Sequence, residues 1–190
     1  MEIYRSDKEN ELNAFLLSDS DKPGKRRSIL STLPLYTADR ELLKQILKRN
    51  KISEERQKNI LEYAEAQKLR VIKILETKIL EDEIPIVTKD EFAAHPQVLE
   101  LSGIFCETDI TYSYEEYMSH LAMTEEFAAS HSNYKLLKAS TPTFRNLQIL
   151  IHEDQWVMVS KSKAPAIHFV IRHPKLRKAI ENFIPPVIDK

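Results

Sequence analysis

Apolar residues recur at helical spacing in two adjoining stretches. Leu42, Leu43, Ile46 and Leu47 follow Thr37, which predicts a helix from Ala38 to about Arg49 with Thr37 as its cap. Ser53 offers a second cap, with Glu54 and Glu55 in the first turn, where the helix dipole favours acids. Ile60, Leu61, Ala64, Leu69, Ile72 and Leu75 then predict one apolar stripe on a long helix reaching about Lys78. Two capping boxes follow. Thr88 with Glu91 starts a short helix through Ala94, and Ser113 with Glu116 starts one to about Ser130 that turns Tyr117, Leu121, Met123 and Phe127 partly inward. Ile84 to Val87 reads as an edge strand, because Pro85 cannot complete a ladder in a central one. Leu99 to Thr111 has no clean period.

After Asn133 the pattern changes. Tyr134 to Ala139, Leu147 to His152, Trp156 to Ser160 and Ile167 to Ile171 are rich in β-branched, aromatic and aliphatic residues and are separated by short polar links. Leu147, Ile149 and Ile151 alternate with Gln148, Leu150 and His152, which predicts one face in the core. Glu153-Asp154 makes a hairpin and Ser162 to Pro165 the next turn. His173-Pro174 opens a last helix with proline at the favoured first position, with Leu176, Ile180 and Phe183 inward and Pro185-Pro186 as its stop. The expected class is therefore α+β: helices in the N-terminal half packed on an antiparallel meander of about four strands, closed by a C-terminal helix. Residues 1–31 are expected to be an N-terminal extension, with Ser18 to Arg27 as a linker carrying a basic end. Residues 32–190 form one domain, helical over 32–133 and a meander plus helix over 134–190.

Composition narrows the function classes. The chain has 190 residues, 42% hydrophobic and 30% charged, as in a globular domain. It holds 2 glycines, where average usage gives roughly 13. Gly24 and Gly103 are far apart, so a dinucleotide fingerprint, a Walker loop and a nucleophile elbow are excluded. A lone cysteine, Cys106, makes no internal disulfide and fits a reducing compartment. With no apolar run long enough to span a bilayer and no apolar leader at Met1, a cytoplasmic location is expected. The formal charge of -1 hides a partition: net +3 over residues 1–72, -10 over 73–133 and +6 over 134–190. Either these are solvated helix faces or the acidic middle faces its basic flanks.

Several phrases carry a family resemblance. Leu33-Pro-Leu-Tyr-Thr37, two helices with the second long, a strand ending at Thr88, a meander opening at Asn133-Tyr134 and the closing Ile167-His-Phe-Val-Ile-Arg-His-Pro174 are its marks. In this order they resemble the C-terminal sensor or effector region of Gram-positive repressor-type (Cro-like) helix-turn-helix transcription factors, over roughly Ile29 to Pro185. The resemblance implies a non-catalytic regulatory domain that senses a small molecule or protein effector. It implies a homodimer, contact with DNA only through a helix-turn-helix domain not present in this chain, and no membrane partner. Residues 39–69 make a poor helix-turn-helix themselves, because Glu54, Glu55, Glu62 and Glu65 would face phosphates.

No cofactor, no catalytic set and no metal site is expected. Glu116 and His120 lie one helical turn apart, but a metal needs more ligands than two, so an exposed helix pair is the plainer reading. His168 and Arg172 share one face of the last strand with Val170. A phospholipase-D-type motif would need lysine at 170, so that reading is rejected. Cys106 reads as a small buried hydrophobe. A ligand pocket is expected between the meander and the helices, with Arg145, Trp156, His168, Phe169 and Arg172 as candidate binding residues and the arginines pairing an anionic group. The alternatives are an enzyme using acids of the middle segment, such as Glu107 and Asp109, or a domain that only docks another protein.

Overall fold

The computed structural model describes residues 1–5, 9–101, 108–139, 147–161 and 163–184. Its strands are β1 (Glu2–Tyr4), β2 (Arg26–Ile29), β3 (Leu80–Pro85), β4 (Tyr134–Ala139), β5 (Leu147–His152), β6 (Trp156–Lys161) and β7 (Ile167–Ile171). Its helices are α1 (Glu9–Ser18), α2 (Arg40–Arg49), α3 (Glu54–Leu75), α4 (Lys89–Ala94), α5 (Tyr114–Ser130) and α6 (Pro174–Phe183), and Leu35–Thr37 form a 3-10 turn. All seven strands form one mixed sheet in the order β1-β7-β6-β5-β2-β3-β4. The class is α+β.

The expected four-strand meander is corrected at both ends. Only β5, β6 and β7 run as an antiparallel meander, with Ile149 opposite Val159 and Val159 opposite Phe169. β4 instead lies parallel to β3 at the far edge, Tyr134 opposite Leu80. β3, expected as an edge strand over Ile84 to Val87, instead spans Leu80–Pro85 and is interior, parallel to β2 and β4. Pro85 is tolerated because it is the last residue of that strand, where a missing donor costs one terminal bond. Sequence pattern alone hides β3, since Leu-Glu-Asp-Glu-Ile looks like the acidic tail of a helix. Its alternation has another cause: Leu80, Asp82 and Ile84 are buried, while Glu81 and Glu83 lie on the opposite face. There Lys25 and Lys135 pair with Glu81 at 2.7 and 3.5 Å, and Arg27 with Glu83 at 3.4 Å. The acidic middle of the chain thus meets both basic flanks across neighbouring strands.

Residues 1–31, expected as an extension, build part of the sheet and core. β1 pairs with β7, β2 sits between β3 and β5, and Leu12 and Leu16 of α1 pack with Tyr4, Trp156, Met158 and Val170. The stretch read as a basic linker is tied down by Arg26, which is 7% exposed and donates to the carbonyls of Asp19, Lys22 and Gly24. The few apolar residues there suffice because β2 is paired on both sides and Leu12 and Leu16 fall on the covered face of the sheet.

Helices α1, α3 and α5 cover one face of the sheet, where Leu80, Tyr134, Trp156 and Val170 point. α2 packs on α3 through Leu43, Ile46, Leu47, Ile60 and Leu61. On the other face Ile29, Ile149, Ile151 and Val157 meet Ile184 and, partly, Ile180 of α6. Both faces of β5 are therefore covered: Gln148 is 2% and His152 0% exposed, against the expectation that one face is solvated. Caps at Ser53, Thr88 and Ser113 are present, each side chain accepting an amide one turn on. Asp39, not Thr37, caps α2. Thr37 is held in the turn before it, bonded to the Pro34 carbonyl and the Thr124 hydroxyl. Leu69, expected inward, is 60% exposed, and Leu176 and Phe183 of α6 are 55% and 70% exposed. The inward phase of α3 instead runs through Gln67 and Val71.

Candidate ligand-binding cavity

One face of the sheet buries an unusual number of polar side chains. Strand alternation brings Arg26 and Ser28 of β2, Asp82 of β3, Gln148 and His152 of β5, Ser160 of β6 and His168 of β7 to the same side, each at most 8% exposed. Above them α3 lowers Gln67, Arg70, Val71 and Ile74. Between the two lies a cavity of about 90 Å³ lined by Arg26, Gln67, Arg70, Asp82, Gln148 and Glu100 among apolar walls of Leu16, Leu30, Leu150 and Trp156. On the scale where one water fills about 10 to 15 Å³, that is room for roughly six water-sized bodies.

Asp82 is the buried acid of the cavity. Its carboxylate accepts hydrogen bonds from Tyr36 and, at 2.9 Å, from Tyr134. Burial raises its pKa above the ordinary value, and the hydrogen bonds from Tyr36, Ser28 and Tyr134 and the charge of Arg70 only partly offset this. Arg70 is the other charge. Burial lowers its pKa, yet a guanidinium stays protonated in proteins. Its Nε donates to Gln67 Oε1 at 2.9 Å and its Nη1 reaches the Leu16 carbonyl at 3.4 Å. Among the described residues Arg70 makes no ion pair within 4 Å.

A second buried cluster closes the end of this layer. His152 Nδ1 lies 2.6 Å from Asp19 Oδ2 and its Nε2 2.6 Å from the Pro23 carbonyl. Asp19 also faces Arg26 at 3.5 Å and Lys22 at 3.4 Å. Burial raises the Asp19 pKa, but the hydrogen bond with His152, the neighbouring Trp156 N–H and the charges of His152 and Arg26 carry it down to about 2. Gly24 makes the turn possible: its φ is +115°, and a Cβ there would lie 3.0 Å from His152 Nε2.

The residues expected to bind a ligand are dispersed. Trp156 does line the cavity. His168 shares its face but sits farther along the sheet, its Nδ1 2.7 Å from Ser160 Oγ, and burial lowers its pKa to about 4. Phe169 points to the opposite face, across from Ile3. Arg172 stacks over the Phe15 ring at 4.9 Å and pairs with Glu2 at 2.8 Å. Arg145, Cys106 and Glu107 lie outside the described residues. Asp109 is exposed and accepts the Ala164 amide at 2.7 Å.

Glu116 and His120 are neither an exposed pair nor metal ligands in this arrangement. Glu116, 2% exposed, takes a forked ion pair from Arg49 Nε and Nη2 at 3.0 and 2.7 Å. His120, fully buried, bridges Tyr112 OH, Thr37 Oγ1 and the Pro34 carbonyl, and burial drops its pKa to about 4. Among the described residues no group of three or more His, Cys, Asp or Glu side chains is placed to hold a metal ion.

Arg70, Gln67, Asp82 and Gln148 escape a sequence reading that seeks motifs. The signal available is phase: Asp82 and Gln148 alternate in step with buried neighbours on their strands, and Gln67 falls on the inward repeat of α3 with Val71 and Ile74. A second cavity, about 270 Å³, lies beyond the ends of β2 and β3 and shares Glu100 with the first. No family model, no curated protein and no solved structure matches the chain. No helix among the described residues is long and apolar enough to cross a membrane.

Proposed function

We propose that this chain is a non-catalytic sensing module, the effector-binding part of a cytoplasmic transcription regulator, and that its effector pocket is the cavity between α3 and the sheet. The observation that carries the reading is a charged guanidinium, Arg70, and a buried acid, Asp82, facing the same largely apolar cavity. Such a concave site with a few convergent polar groups is what small-molecule recognition requires. The resemblance to effector regions of repressor-type regulators supplies the class of output.

Transmission follows the contacts of the cavity roof. Pro34, Leu35 and Tyr36 line the cavity, and the same turn is tied to α5 through His120 and Thr124. A molecule that binds one arrangement of α3 and this turn more tightly than another shifts the population between them. A homodimer fits the same reading, with Leu176 of α6 an exposed apolar residue on the outer surface.

Native mass spectrometry of the purified full chain tests the pocket. A small molecule retained at one per chain, and lost in Val71→Phe with the melting temperature kept, supports it. A retained molecule unaffected by Val71→Phe places binding elsewhere and overturns the assignment.

A further inference from the structure

Resting on that reading of the cavity, we infer that its ligand is a small organic acid whose carboxylate is held by Arg70. The argument is one of local charge. Asp19 already faces His152, Arg26 and Lys22, so its charge is shared among groups on its own side of the layer. Asp82 accepts from two tyrosine hydroxyls and makes no ion pair within 4 Å with Arg70. Arg26 turns Nη1 and Nη2 to three carbonyls of the 19–24 loop and faces the Asp19 carboxylate at 3.5 Å. Arg70 is different: it lines the cavity, its described bonds use Nε and Nη1, and no carboxylate is in ion-pair range among the described residues. A guanidinium in a poorly hydrated site favours an anion that it can grip with two parallel N–H bonds.

The walls decide which anion. Leu16, Leu30, Leu150, Val71 and Trp156 offer apolar surface to the body of the ligand, where a phosphate would lose hydration at three oxygens with little in return. The volume suits a body of roughly six heavy atoms, if one water-sized sphere is counted per atom. Gln148, on the floor of the cavity, and Gln67, already bonded to Arg70, supply neutral amides that orient the carboxylate without repelling it. Glu100 lies at the boundary with the second cavity and disfavours a second negative group at that end. The inferred class is therefore a monocarboxylate with an apolar tail.

Isothermal titration of the full chain with butyrate, butyramide, butylamine and inorganic phosphate tests this. Butyrate is expected to bind at one per chain and at least about tenfold more tightly than the other three. Arg70→Met is expected to weaken butyrate by at least about 30-fold, the loss for removing one partner of a buried charge pair. Arg70→Lys retains the charge without the fork and falls between. Arg172→Met, at a surface pair outside the cavity, leaves affinity unchanged. If Arg70→Met fails to fold, Arg70→Lys against Arg172→Met decides alone. Binding of butyramide, butylamine or phosphate as tight as that of butyrate, butyrate affinity indifferent to both Arg70 variants, or no binding of butyrate overturns the anion assignment. A retained molecule in native mass spectrometry that proves neutral or cationic leaves the sensing pocket standing and removes only the acid.

Discussion

Replacing Asp19 by asparagine probes the buried layer with a magnitude that the structure sets. Asp19 is 1% exposed and faces His152, which is fully buried. Folding carries its pKa from the ordinary 3.8 down to about 2, because hydrogen bonds and cationic neighbours outweigh the cost of burial. Since folding lowers this pKa, the stabilisation is fully present above the unfolded value and is lost as the pH falls toward the folded one. Each pKa unit is about 1.4 kcal/mol, so the contribution lost on this acid limb is about 2 kcal/mol. At pH 7 the Asp19→Asn chain, keeping the buried Arg26 without its counter-charge, should be about 3 to 5 kcal/mol less stable. Urea unfolding of both chains from pH 7 to pH 2 reads this directly. The gap should be constant above about pH 5 and narrow by about 2 kcal/mol between pH 5 and pH 2. Other carboxylates titrate in that range, but they are common to both chains and cancel in the difference. Parallel curves across the whole range, or a gap under about 1 kcal/mol at pH 7, would refute the reasoning.

Leu12→Ala should cost about 2 to 5 kcal/mol in denaturant unfolding, because the residue is fully buried under β1 and β6 and leaves a cavity; a cost near zero would mean that residues 1–31 are a tether after all. Leu176→Ser, at an exposed position of α6, should change monomer stability by less than about 0.5 kcal/mol. Sedimentation of that variant reports whether α6 serves the proposed homodimer, which it should weaken. Gly24→Ala should lose more than about 1 kcal/mol, through a positive φ and a Cβ pressed on the His152 ring. Folding lowers the pKa of His120 and His168 to about 4, so the wild-type chain should lose stability as the pH falls from 6.5 toward 4. His168→Asn should flatten part of that slope in thermal melts.

Helix positions were legible where local chemistry writes them. Ser53, Thr88 and Ser113 cap as their spacing predicts, and proline opens α6. Strand partners were not, because pairing is decided by distant residues. β4 reads like the first strand of a meander, yet its neighbour is β3, and β2 gave no signal since Arg-Arg-Ser-Ile mimics a basic linker. Amphipathic helices carried a similar trap: Leu176 and Phe183 have the spacing of a buried stripe and still face outward, because α6 meets the sheet through Ile180 and Ile184. Within the candidate site, the aromatic wall at Trp156 was visible from composition. Sequence points to Arg145 and Arg172, near the meander, whereas the arginine that lines the cavity, Arg70, comes from α3, next to Val71 and one turn before Ile74. A half-buried guanidinium that lines a cavity is indistinguishable in sequence from the solvated lysines and arginines around it until the phase of the helix is known.

The pocket under α3 is tested most directly by methyl NMR of the full chain, labelled at leucine, valine and isoleucine and mixed with a low-molecular-weight cell extract. The account predicts that signals of Leu16, Val71, Ile74 and Leu150 move together, while those of Ile180 and Ile184 on the opposite face of the sheet stay in place. Shifts confined to α6, or no shift at the four cavity residues with any extract fraction, would contradict it.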